Sequence, residues 1–505
     1  MVDATNSATP GPGTPMAAVG SSGRLRAAWV RCRWFAPALV AVLAVRLRFF
    51  FIPIHPDEAA QWAVARAWHR GATLYSEIWL DRPIGMLGLY RVVYALGLPP
   101  VFGLRLMAVL FALVACYACG RIAARLGGAD AAMVAALAAA VLLGLPRLSG
   151  YAANGELMSG AFGALGLLFL LKGSWRLPAP AHGWLVLGGV ATGVGLSIKQ
   201  SAFDAFGAGL LVLLFHCVRG GWGRRDRWLA VPAALSGLAV SLGAVVLHGV
   251  VTCGFADWWN GVAGFRITYL GAVSGGKYSL LLVSGKRALP AVLLLVLVLA
   301  VLVVIAVRRR RRLDALLLMA IWLGLAAIAF LSGGLFWLHY WLVLLFPASV
   351  ALGVLVGELG GARLRYVLAA VALLPSLVLG LRAAVSPRSE VGEAASRKYE
   401  HIAAWYDDHA GPDDKVYSQC RGLEIYGLVD SDPPVPYLFP SHITPVPERR
   451  AQLAALLKGP DAPRFVVEFE SPEECDPSGV MREVLDTRYR KAATVDGFPI
   501  YERTD

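Results

Sequence analysis

Five short clusters of polar and ionisable residues, widely spaced along an otherwise apolar chain, hold the chemistry of this sequence. The first is Asp57-Glu58, in Ile54-His55-Pro56-Asp57-Glu58. Asp81-Arg82-Pro83 follows, then Glu156 in Asn154-Gly155-Glu156, Lys199 in Gly195-Leu196-Ser197-Ile198-Lys199-Gln200, and His339-Tyr340-Trp341. A carboxylate such as Asp57 or Glu58 can take a proton from a hydroxyl nucleophile or orient it. Arg82, Lys199, His339 and Tyr340 can donate to phosphate oxygens and stabilise a phosphate as it departs. Asp81 and Glu156 are hard oxygen donors that could hold a divalent cation, Mg or Mn, against that phosphate.

Each cluster also suits an ordinary structural duty. Asp57 after Pro56 fits a helix N-cap, and Asp81 with Arg82 fits a local ion pair. Glu156 fits a cap placed well for a helix dipole. Lys199 fits an interfacial lysine whose stem lies along apolar surface, and a lone interfacial histidine such as His339 is usually structural. What unites the clusters is their expected position at one face of a bilayer.

That position follows from the elements around them. Hydrophobic residues make up 57% of the 505 and charged residues only 16%, a balance seldom met in a soluble domain. Apolar runs at about 34–54, 103–120, 131–146, 157–171, 183–198, 202–218, 228–251, 287–307, 313–332, 340–357 and 366–383 predict about 11 transmembrane helices, some of them short. Arginine and lysine clusters alternate with the runs: Arg24 to Arg33, Arg121 and Arg125, Lys172 and Arg176, Arg219 to Arg227, Arg308 to Arg312, and Arg363 with Arg365. All fall on one side if the N-terminus is cytoplasmic, and an odd number of spans then puts the C-terminus outside. The net charge of +13 is therefore read as topological, with no nucleic-acid partner.

Residues 1–33 are expected to be a disordered cytoplasmic segment, 34–384 the transmembrane domain with an outer loop at 55–100, and 385–505 an extracytoplasmic α/β domain. In that last unit Lys398 to Tyr406 fits an amphipathic helix, and Lys415 to Ser418 and Arg464 to Phe469 fit short strands. Phe498 to Arg503 fits a final edge strand after Asp496-Gly497. Cys116 and Cys119 read as small core residues, and pairing of Cys420 with Cys475 is left open.

The five clusters, with Leu80, Leu342 and Pro347 in their settings, resemble the GT-C membrane glycosyltransferases. The branch they resemble holds the protein O-mannosyltransferases and the bacterial aminoarabinose and galacturonic-acid lipid A transferases. The similarity covers the layout of about residues 34–383, and Asp81-Arg82-Pro83 departs from the more frequent acidic-Lys-Pro-Pro pattern. The resemblance implies a fold with membrane-parallel helices in the first outer loop. It also implies a bacterial plasma-membrane enzyme that moves a hexose or pentose from a polyprenyl-phosphate donor to a glycan, lipid or protein acceptor. The absence of a Gly-rich phosphate loop suits a donor delivered through the bilayer. A transporter or lipid-linked-glycan flippase would also need many spans and buried charges. No two-fold repeat is evident, and the acidic cluster sits in one outer loop. A noncatalytic envelope scaffold is the third class.

Overall fold

The computed structural model describes residues 33–220, 222–272, 277–308, 310, 313–359, 361–386, 393–476 and 478–504. The expected disordered segment lies outside these residues except for Arg33, and so do Arg24, Arg26, Arg31, Arg309, Arg311 and Arg312.

The chain opens with α1 (Ala36–Arg46), extended by a 3-10 turn over Leu47–Phe51. After a bend of 73° comes α2 (Pro56–His69). The run expected as one span over 34–54 thus stops near residue 51, where the chain turns at Pro53 and Pro56. Then follow α3 (Ile84–Ala95), α4 (Pro100–Gly127), α5 (Ala129–Leu142), α6 (Gly155–Ser174), α7 (His182–Ile198), α8 (Asp204–Arg219) and α9 (Arg224–Cys253). A π turn at Asn260–Gly264 leads into α10 (Phe265–Ala272). The apolar part closes with α11 (Lys277–Arg308), α12 (Leu313–Ser332), α13 (Leu342–Gly357) and α14 (Ala362–Val385).

Seven of these helices are long and apolar enough to cross a membrane, eight if the bent pair counts as one span. Every expected span falls on a helix, but α5, α7 and α8 are shorter than a bilayer normally requires. Small residues let the helices approach. A Cβ on Gly189 of α7 would lie 2.0 Å from the Ala234 carbonyl of α9, so this crossing depends on glycine.

Beyond α14 the chain forms α15 (Glu393–His409), β1 (Val416–Gln419), α16 (Pro447–Lys458), β2 (Phe465–Glu468), α17 (Val480–Arg488), β3 (Tyr489–Val495) and β4 (Phe498–Arg503). The sheet order is β1-β2-β4-β3, with β1 parallel to β2 and the other pairs antiparallel. The expected edge strand, β4, is therefore internal. The Asp496-Gly497 turn, with both residues at positive φ, folds β3 back along it as a hairpin, and β3 forms the edge.

The C-terminal unit sits on the segment 55–100, and buried residues from Ala38 to Ile500 join one apolar cluster. Arg66 of α2 donates through Nε to Asp432 at 2.8 Å and through Nη1 to the Val429 carbonyl at 2.8 Å. The Trp79 amide donates to the Pro436 carbonyl at 3.0 Å. Cys420 is disulfide-bonded, and the side chain of Cys475 lies outside the described residues. Cys116 and Cys119 are buried free thiols, as their apolar setting predicts.

Candidate functional site

The site forms where α2, the loop before α3, the start of α6, the end of α7, α10 and the turn before α13 meet. The turn at 53–56 breaks the α1 direction and starts α2 with a reciprocal cap. His55 Nδ1 accepts from the Asp57 amide at 3.3 Å, and Glu58 Oε2 accepts from the His55 amide at 3.1 Å. The cap is thus His55, not Asp57 as expected, because Pro56 occupies the first helical position and Asp57 the second. Similarly, α6 is capped by Asn154, whose Oδ1 accepts from the Leu157 amide at 2.9 Å. Glu156 is left free of capping duty and points into the site.

Glu58 is buried against Arg105 of α4, whose Nη1 lies 2.6 and 2.7 Å from its two oxygens. The Ala153 amide adds a bond to Glu58 Oε1 at 2.8 Å. Arg105 also donates to the Phe49 and Pro53 carbonyls at 3.1 and 3.2 Å. Glu58 therefore spends its acceptor capacity on fixing the loop, the cap and the chain before α6. Asp57, one residue earlier, lines the cavity, and its carboxylate has no hydrogen-bond or ion-pair partner among the described residues. Its electrostatic neighbours are His55, His339, Arg82 and the like-charged Asp81.

Asp81 is the hub of a second group. Arg82 Nη1 lies 2.5 Å from its Oδ1, Arg266 Nη2 pairs with its Oδ2, and His442 Nε2 is 3.2 Å from Oδ1. Burial pushes the Asp81 carboxyl upward, but Arg82, Arg266 and His442 together hold it well below the usual carboxylate range. Arg266 also bonds Tyr340. A third group joins Glu156 to Lys199, with His339 Nε2 at 3.8 Å from Glu156 Oε1. Lys199 Nζ lies 4.0 Å from the Tyr340 ring centroid. The α3 start packs hard against the α7 end here: a Cβ on Gly85 would lie 2.3 Å from Ser197 Oγ. That close approach brings Arg82 and Lys199 to one cavity.

All eight sequence-predicted site residues, Asp57, Glu58, Asp81, Arg82, Glu156, Lys199, His339 and Tyr340, line this one cavity. The expected metal ligands do not form a cation site. Asp81 is engaged by two guanidiniums and an imidazole, Glu156 by an ammonium, and no group of three ligating side chains converges among the described residues. Positive charge is instead supplied by Arg82, Arg266 and Lys199. Sequence reasoning missed Arg266, His442 and Arg105 as site members. Arg105 had a signal, a lone arginine inside an apolar run, where burial of charge is costly and demands a partner. Arg266 and His442 had no local signal, lying 185 and 361 positions from Asp81.

Solved structures resemble this fold over nearly the whole chain. ArnT from Cupriavidus metallidurans, bound to undecaprenyl phosphate, matches with a TM-score of 0.66 at 18% identity, over 96% of this chain and 98% of that one. The oligosaccharyltransferase of Archaeoglobus fulgidus in complex with Zn and sulfate matches with a TM-score of 0.54 at 14% identity, over 93% of this chain and 73% of that one. The AglB oligosaccharyltransferase of the same organism, with an inhibitory peptide and a dolichol-phosphate, gives 0.52 at 13%, over 95% and 75%. The chain thus shares its fold with these solved structures. No protein-family profile matches the sequence, and no curated protein matches it.

Proposed function

We propose that this GT-C-fold chain is a glycosyltransferase that moves a sugar from a polyprenyl-phosphate donor to an acceptor hydroxyl at the extracytoplasmic face of a bacterial plasma membrane. The acceptor is an envelope glycan, lipid or protein. One observation carries the reading: Asp57, a carboxylate with no hydrogen-bond or ion-pair partner among the described residues, faces the same cavity as Arg82, Arg266 and Lys199. A base and a phosphate clamp are what transfer from a lipid phosphate requires. The likeness to ArnT with undecaprenyl phosphate and to AglB with dolichol-phosphate supports the donor class.

In this reading the acceptor oxygen attacks the anomeric carbon while its proton passes to Asp57. The bond from that carbon to the phosphate oxygen breaks, and the electron pair leaves with the lipid phosphate. Arg82, Arg266 and Lys199 hold N–H groups toward the oxygens on which charge grows, where exclusion of water makes such bonds stronger than in solution. His339 and Tyr340 complete that wall, and Tyr340 orients both Lys199 and Arg266. Glu58 and Arg105 set the start of α2 and so the place of Asp57. The residues present do not suit a divalent ion, since Asp81 is engaged by Arg82, Arg266 and His442 and Glu156 by Lys199.

The test is donor choice. Purified protein in liposomes should transfer sugar from a polyprenyl-phosphate sugar and not from a nucleotide sugar. Transfer from the nucleotide sugar alone overturns the reading.

A further inference from the structure

We infer that His442, carried by the C-terminal unit, is a positioning residue for the transfer site: it holds the Asp81 carboxylate, and through it the two guanidiniums that face the donor phosphate. The inference rests on the reading of the cavity as a lipid-phosphate site. His442 does not line the cavity, so it acts through Asp81 and not on substrate.

The geometry around the imidazole is restrictive. The ring is buried, with Nε2 at 3.2 Å from Asp81 Oδ1. Trp79, Phe265 and Phe439 meet it edge to face at centroid distances of 4.9, 5.3 and 5.2 Å. Those rings come from the loop before α3, from α10 and from the C-terminal unit. Arg449 locks the backbone, donating to the His442 carbonyl at 2.9 Å while its guanidinium lies 4.2 Å from the Trp79 centroid and 4.1 Å from that of Tyr437. His442 Nδ1 is buried without a hydrogen-bond partner among the described residues. A carboxylate can only accept, so Nε2 bears the proton and donates to Asp81.

The consequence concerns Arg82 and Arg266. Each guanidinium has five N–H donors in a rigid fork, and each line of contact with Asp81 fixes where the remaining donors aim. A carboxylate held by Arg82 and Arg266 alone could turn with either of them. The third donor arrives from a different unit of the chain and stops that rotation. The docked C-terminal unit thereby completes a site whose other members lie on the helical part.

Two substitutions test this in the full-length protein. His442→Phe keeps an aromatic ring in the box but removes the donor. His442→Gln carries an amide N–H close to the position of Nε2. Binding of undecaprenyl monophosphate and transfer kinetics are measured for both. His442→Phe should weaken lipid-phosphate binding about 10-fold or more, the range for a hydrogen bond to a charged group. It should also raise the donor KM more than it lowers kcat. His442→Gln should restore most of the binding, and adding His442→Phe to Asp81→Asn should cost little more. Folded His442→Phe protein that binds like wild type, or equal losses in the Phe and Gln variants, overturns the inference. If wild type binds no polyprenyl phosphate, the functional reading falls, and a thermal-unfolding cycle over Asp81→Asn and His442→Phe decides the contact. Additive effects there reject it, and coupling retains His442 as the residue that holds Asp81.

Discussion

Arg105 Nη1 sits 2.6 Å from one Glu58 oxygen and 2.7 Å from the other, with side-chain exposures of 1% and 2%. A pair so far from water owes its stability to completeness, since each charge is tolerable only while the other is present. Arg105→Met should therefore leave the Glu58 carboxylate buried and unpaired, at a cost of about 3–5 kcal/mol. Glu58→Gln should also destabilise, because Arg105 loses its counter-charge and the amide offers one acceptor oxygen where the Ala153 and His55 amides use two. The check is thermal unfolding in detergent together with the level of folded protein. Equal stability of Arg105→Met and wild type would remove the pair from its structural role.

Lys199 and Arg82 should dominate lipid-phosphate affinity. Removing either by Lys199→Ala or Arg82→Ala should weaken binding of undecaprenyl monophosphate by roughly 10- to 100-fold, the value of one charge-assisted hydrogen bond. Titration of the lipid against purified protein measures this. An unchanged Kd for both variants would place the phosphate elsewhere.

Glu424, on the short helical turn Leu423–Gly427, gives a pH prediction. Burial pushes its carboxyl up to about 7, against the opposing pull of Lys398 and the Tyr399 hydroxyl. The folded protein then binds a proton that the unfolded chain has already lost between its ordinary value near 4.5 and about 7. Stability should fall as pH rises through that window, by about 3 kcal/mol at most. Glu424→Gln should therefore raise Tm at pH 8 and change it little at pH 4. The opposite ordering would contradict a buried, proton-retaining carboxyl.

Topology is open to direct labelling. Lys491 lies on the exposed face of β3, so Lys491→Cys should react with an impermeant thiol reagent on intact cells. Labelling only after lysis would place the C-terminal unit on the cytoplasmic side and reverse the orientation read from the arginine clusters.

What could be read in advance, and what could not, follows from the range of the signals. Apolar runs are local, so the helices of 103–120 or 313–332 were legible, whereas the break of the first run needed the sterics of Pro53 and Pro56. The five clusters could be picked out because charge beside apolar sequence is costly wherever the chain folds. Whether a carboxylate is free or spent could not be told, since that depends on partners far along the chain. Glu58 and Asp57 look alike in sequence, yet Arg105 claims one and leaves the other to the cavity. β3 was missed because Arg490 and Lys491 face solvent and its apolar side is slight. Its pairing with β4 then made the expected edge strand an inner one.

In the proposed transfer Asp57 takes the proton of the acceptor. Asp57→Asn keeps the shape of the side chain, and the helix start does not depend on it, because His55 and Glu58 supply the cap. The measurement is kcat for sugar transfer from a polyprenyl-phosphate sugar by equal amounts of folded wild-type and Asp57→Asn protein. The Asp57→Asn protein should lose about 100- to 10,000-fold in kcat with undecaprenyl-phosphate binding preserved. Near-normal turnover by Asp57→Asn would contradict it.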